Sequence, residues 1–119
     1  MQTGYEDKQV EDPERAEWRR QLADVRTGIS RLEPAVANAR EIDGRARAAV
    51  NQHGFSLAME KRKRGIVFGE RFESANSIAL ERAEREATTC GRGLSELEQR
   101  LKLLRGAERQ LVARLGSEG

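Results

Sequence analysis

This chain has little of what a compact enzyme core is usually built from. Among its 119 residues only five are aromatic (Tyr5, Trp18, Phe55, Phe68 and Phe72), and there is one cysteine, one histidine and two prolines. With so few large rings, any interior must be narrow and aliphatic. The single Cys90 excludes an internal disulfide, and its place on a helical seam reads as a small buried thiol. His53 and Cys90 have no Cys-x-x-Cys or His-x-x-x-His companions, so neither a zinc site nor a cysteine–histidine catalytic pair can be argued from the sequence. Glu84 and Glu86 would point to different faces of a helix and make no acid–base dyad. The glycine clusters Gly65-Ile66-Val67-Phe68-Gly69 and Gly91-Arg92-Gly93 lack the Lys-Ser/Thr of a phosphate-binding loop. The expectation is a non-enzymatic protein with no catalytic residue, metal or cofactor.

Long apolar runs are missing too. No stretch approaches the roughly twenty residues needed to cross a bilayer. The acidic start, Met1 to Asp12, lacks the basic and apolar regions of a signal peptide. A cytoplasmic protein without membrane contact is the expected class.

What is present is charge and period. Charged residues make up 35% of the chain against 37% hydrophobic, a balance that suits long helices with a thin apolar stripe better than a globule. Near the C-terminus, Cys90, Leu94, Leu97, Leu101, Leu104, Glu108, Leu111 and Leu115 alternate at spacings of four and three. That spacing lines one seam of an α-helix, and such a seam is stable only when covered by another helix. An N-terminal counterpart runs through Trp18, Leu22, Val25, Ile29, Leu32, Val36 and Ala39. Asp12 can cap it, Pro13 suits the first helical position, and Glu14 complements the helix dipole. Pro34 removes a backbone bond and crowds the carbonyl of Ser30, which predicts a kink because the apolar register continues beyond it. His53-Gly54 is the expected end, with the imidazole near the negative pole of the helix. Gly28 and Gly44 read as local loosening or close helix approach.

The pattern divides into an acidic tail at 1–11, a first helical arm at 12–53, a basic connector at 54–71, a second arm at 72–115 and a short tail at 116–119. The connector holds two short apolar runs around Lys61-Arg62-Lys63-Arg64 and is read as a loop with partial helix. The second arm carries glycines at 91 and 93, and Ser95 with Glu98 offers a capping box, so both one continuous helix and two shorter ones are allowed. Glu81 with Arg85, Glu96 with Arg100 and Glu98 with Lys102 are spaced for helix-surface ion pairs.

The fold expected is all-α: an antiparallel helical hairpin or coiled-coil bundle with a kinked first helix, completed by homodimerisation because one chain supplies so thin a core. Its expected role is that of a helical protein–protein interaction module of adaptor, chaperone or inhibitor type. The anchors on that reading are Trp18, Leu94, Leu97, Leu101, Leu104, Leu111 and Leu115. The alternative is a dimeric nucleic-acid-binding accessory protein. There Lys61, Arg62, Lys63 and Arg64, with Arg71, Arg45 and Arg47, would contact phosphates, and Phe55 and Phe68 would support the loop or stack on bases. The same cations equally suit an acidic protein surface.

Overall fold

A computed structural model describes residues 12–67 and 72–118, with side chains to residue 116. It contains two α-helices, α1 at Pro13–Arg64 and α2 at Ala75–Glu118, and no strand among the described residues. Met1 to Glu11, Phe68 and Arg71 lie outside the described residues.

Both starts are capped by side chains, as helix ends require. Asp12 Oδ1 accepts the Glu14 N–H at 3.1 Å, with Pro13 at the first helical position. Ser74 and Ser77 exchange bonds across the first turn of α2: the Ser77 N–H donates to Ser74 Oγ at 3.3 Å and the Ser74 N–H to Ser77 Oγ at 2.7 Å. This is the reciprocal geometry of a capping box, with serine in place of the usual glutamate. α2 therefore starts at Ala75, three residues after Phe72, where the helical period resumes in the sequence.

α1 does not end at His53-Gly54. It continues through the segment that the sequence presents as a connector and stops at Arg64. Leu57, 8% exposed, supplies the reason: the seam keeps its phase through Val50, His53 and Leu57, so the added turns bury an apolar side chain. The stop is made by Gly65, whose φ of +72° is left-handed. The Ile66 N–H donates to the Lys61 carbonyl at 2.9 Å and the Gly65 N–H to the Arg62 carbonyl at 3.3 Å, the paired bonds of a Schellman ending. α1 also runs through Pro34, and α2 through Gly91 and Gly93, without ending. Of the two readings the sequence allows for the second arm, the continuous helix is the one formed.

The chain forms two compact units, one of 1–34 with 99–119 and one of 35–98. In the first, Arg15 reaches the Leu115 carbonyl, Arg26 pairs with Glu108 at 3.1 Å and Glu33 with Arg105 at 3.0 Å. Rising numbers on α1 meet falling numbers on α2, so the packing is antiparallel. Leu22, Leu101 and Leu111 are buried there, and Gly28 lets α2 come close: a Cβ at that position would lie 3.1 Å from Leu104 Cδ1. In the second unit, Arg40 pairs with Glu98 at 3.0 Å, Asp43 faces Gly91, and Glu60 meets Ser74 and Asn76, again antiparallel. Val36, Leu57 and Ala83 are its buried apolar residues. The cross-helix ion pairs are exposed, and each contributes at most about 1 kcal/mol.

Candidate interaction surface

The expected leucine anchors line the packed side of α2. Leu101 and Leu111 are each 5% exposed, and Leu94, Leu97, Leu104 and Leu115 are half-buried. Trp18 is half-buried, with the Arg114 guanidinium 5.9 Å from its ring centroid.

Apolar side chains on the outside are more telling. Ile42, Phe55, Met59, Val67 and Ile78 in the second unit, and Leu103 and Val112 in the first, are all exposed. These seven exceed the six apolar residues that are buried, and among the described residues no side chain is fully enclosed. Exposed hydrophobes are ordinary when scattered. Phe55 and Met59 are not scattered: with Lys63 they stand at i, i+4 and i+8, one continuous stripe along the last turns of α1. Phe55 is 69% exposed, and a shallow groove beside it is lined by Phe55, Ser56, Met59, Glu60, Lys63, Arg64 and Asn76.

The basic run sits at the C-terminal end of α1, where cations meet the negative pole of the helix. Arg64 shares Glu60 at 3.6 Å and lies 5.6 Å from the Phe72 ring centroid. The side chains of Lys61, Arg62 and Lys63 form no ion pair with a described residue. Arg45 and Arg47 belong to a different part of α1, about 24 Å away at 1.5 Å per residue, and each is paired within the helix, Arg45 with Glu41 and Arg47 with Asp43. The helix thus separates these two arginines from Lys61–Arg64, and Arg71 lies outside the described residues.

Two features of this unit are not anticipated by the sequence reading. Glu60 accepts from Ser74 Oγ at 2.6 Å and from Asn76 Nδ2 at 3.2 Å, tying the end of α1 to the start of α2. The Ser74 hydroxyl, chiefly, then Asn76 and the Arg64 charge hold its carboxyl below the ordinary value of 4.5 against the opposing effect of burial. The second is Asp43, 6% exposed in the seam. A signal for it exists, since Asp43 falls on the four-three spacing between Ala39 and Ala46. Of the surface pairs, Glu81–Arg85 forms at 3.7 Å, whereas Glu98 turns to Arg40 instead of Lys102.

Another shallow depression on α2 is lined by Glu81, Glu84, Arg85, Thr88 and Thr89; the Thr88 and Thr89 hydroxyls donate to the backbone carbonyls of Glu84 and Arg85 at 2.9 and 3.0 Å. Among the described residues no group of three or more His, Cys, Asp or Glu side chains could hold a metal ion, and no helix is long and apolar enough to cross a membrane. The chain matches no protein-family model, no curated protein and no solved structure.

Proposed function

We propose that this chain is a non-enzymatic helical interaction module. Its contact surface is the stripe Phe55–Met59–Lys63 with the neighbouring cations Lys61, Arg62 and Arg64. The partner is a protein segment, amphipathic and acidic along one edge, whose apolar side chains cover Phe55 and Met59 while its carboxylates meet the lysines and arginines. The observation that carries this reading is the exposure of Phe55, 69%, beside three cations that form no ion pair among the described residues. An apolar anchor with a cluster of cations nearby is how a helix-in-groove interface obtains affinity and orientation. A kink at Pro34 and the pairing of two copies into a larger bundle belong to the same reading, since a core this thin gains from a further helical layer.

Charge distribution favours a protein partner over nucleic acid. Residues 35–98 contain eleven Lys or Arg and ten Asp or Glu, a balance of +1, so the cations form a focal patch and not a track along which a phosphate backbone could run.

A photo-crosslinking residue placed at Phe55, with Arg82 on α2 as the control position, tests this in cells. The expected product is a crosslink from position 55 to an Asp/Glu-rich protein segment, lost when Lys61, Arg62, Lys63 and Arg64 are all changed to glutamate. Equal crosslinking from both positions refutes the surface. Recovery of nucleic acid from position 55 refutes the partner class.

A further inference from the structure

Between Val36 and Leu57 the only buried residue of α1 is a carboxylate. Asp43 has 8% of its side chain exposed; Oδ2 pairs with Arg47 Nε at 3.1 Å, and Oδ1 has no hydrogen-bond partner among the described residues. Facing it is Gly91, which has no side chain to donate to Oδ1; a Cβ built there would stand 3.5 Å away. The neighbouring seam positions, Ala39, Ala46, Ala87 and Cys90, are small and half-buried, and α2 has no buried residue from Glu84 to Glu98. A Cβ added at Gly44 or Gly93 would meet nothing within 4 Å, so no packing demand offsets their weak helix propensity.

The unpaired Asp43 oxygen, the glycine opposite it and the run of small half-buried seam residues fall together on one stretch of one unit. A buried acceptor left unpaired in the closed pair regains its hydrogen bonds in water once the helices part, which lowers the free energy of opening at that place. We propose that Asp43 and Gly91 form an opening joint. At this joint the helices of the 35–98 unit separate reversibly, while Val36 on one side and Leu57 with Ala83 on the other stay packed. Opening exposes the small side chains of Ala39, Ala46, Ala87 and Cys90 to water. This does not depend on the partner proposed for Phe55.

Native-state hydrogen exchange on the full chain tests the joint. Amides of 39–47 and 87–94 are expected to exchange faster than those flanking Val36, Leu57 and Ala83, by roughly ten-fold or more given the cost of an unpaired buried acceptor. Asp43→Leu should slow exchange in both stretches by a similar factor and slow thiol labelling of Cys90 in parallel, with amides near Leu101 and Leu111 unchanged. Asp43→Asn, which keeps the shape and removes the charge, should slow both to a smaller extent and guards against a misfit of the larger leucine. Uniform exchange across 35–98 in the wild type, or unchanged or faster exchange in both variants, overturns the proposal.

Discussion

Leu101 and Leu103 offer a matched test of which face of α2 is covered. They are two residues apart and chemically identical, yet Leu101 is 5% exposed and Leu103 66%. Leu101→Ala removes three carbons from the packed face; at about 0.8 kcal/mol for each buried methylene the transfer loss is about 2.4 kcal/mol. The added cost of a cavity should be small, because no side chain in this thin pair is fully enclosed and the neighbours can settle into the gap. A total of about 2.5 kcal/mol follows, toward the lower end for such substitutions. With an unfolding entropy of about 2.1 cal/mol/K per residue, that lowers the melting temperature by roughly 10 °C. Leu103→Ala should cost less than about 0.5 kcal/mol. Thermal and urea unfolding followed by circular dichroism, at two protein concentrations, measures both. Were Leu103→Ala to destabilise as much as Leu101→Ala, the outer face would be the buried one and the packing described above would be refuted.

The glycines of α1 make a second pair. Gly44→Ala meets nothing and should stabilise by about 0.5–1 kcal/mol, whereas Gly28→Ala sets a Cβ 3.1 Å from Leu104 Cδ1 and should gain less or lose; calorimetry that ranks Gly28→Ala above Gly44→Ala contradicts this. Ser74→Ala removes both the cap of α2 and the main donor to Glu60, so a loss of about 1 kcal/mol is expected by urea titration. Because the folded carboxyl of Glu60 titrates below its ordinary value of 4.5, its contribution is fully present above that pH and disappears as the pH falls through the lowered value. Amide protection at Ala75 to Ser77 should accordingly drop in acid below about pH 4.5 in the wild type, and the Glu60→Gln variant should show no such step.

The start of α1 and the packed seam are legible in the residues alone. Asp12-Pro13 and the leucine ladder announce their helices correctly, because both signals are local; the capping box at Ser95 and Glu98 is equally local, yet α2 runs through it. His53-Gly54 misleads, and Gly91-Arg92-Gly93 leaves two readings open. Each glycine costs only about 1 kcal/mol within a helix, and a seam that keeps its phase on both sides recovers that through packing. The actual stop, Gly65, competes in the sequence with Gly54 and Gly69; what selects it is that Leu57 still has a partner face and Ile66 can complete the terminal bonds. The basic surface is legible as a run of four cations, but its separation from Arg45 and Arg47 follows only once the helix is known to continue between them.

The two units also differ in a way that bears on what the chain does. The first is a leucine pair, with Leu22, Leu101 and Leu111 inside and two large apolar residues outside. The second encloses Val36, Leu57 and Ala83 with one aspartate, and exposes five large apolar residues. Burial is the main favourable term in folding, so a unit that places more of its large apolar side chains outside than inside forgoes stability it could have had by exchanging positions within the same helices. Here Phe55 and Met59 share a stripe with Lys63, and the unpaired carboxylate oxygen of Asp43 lies opposite a glycine. Departures from good packing that are organised in this way are expected where a surface is kept for another molecule, and this supports placing the proposed contact on the second unit.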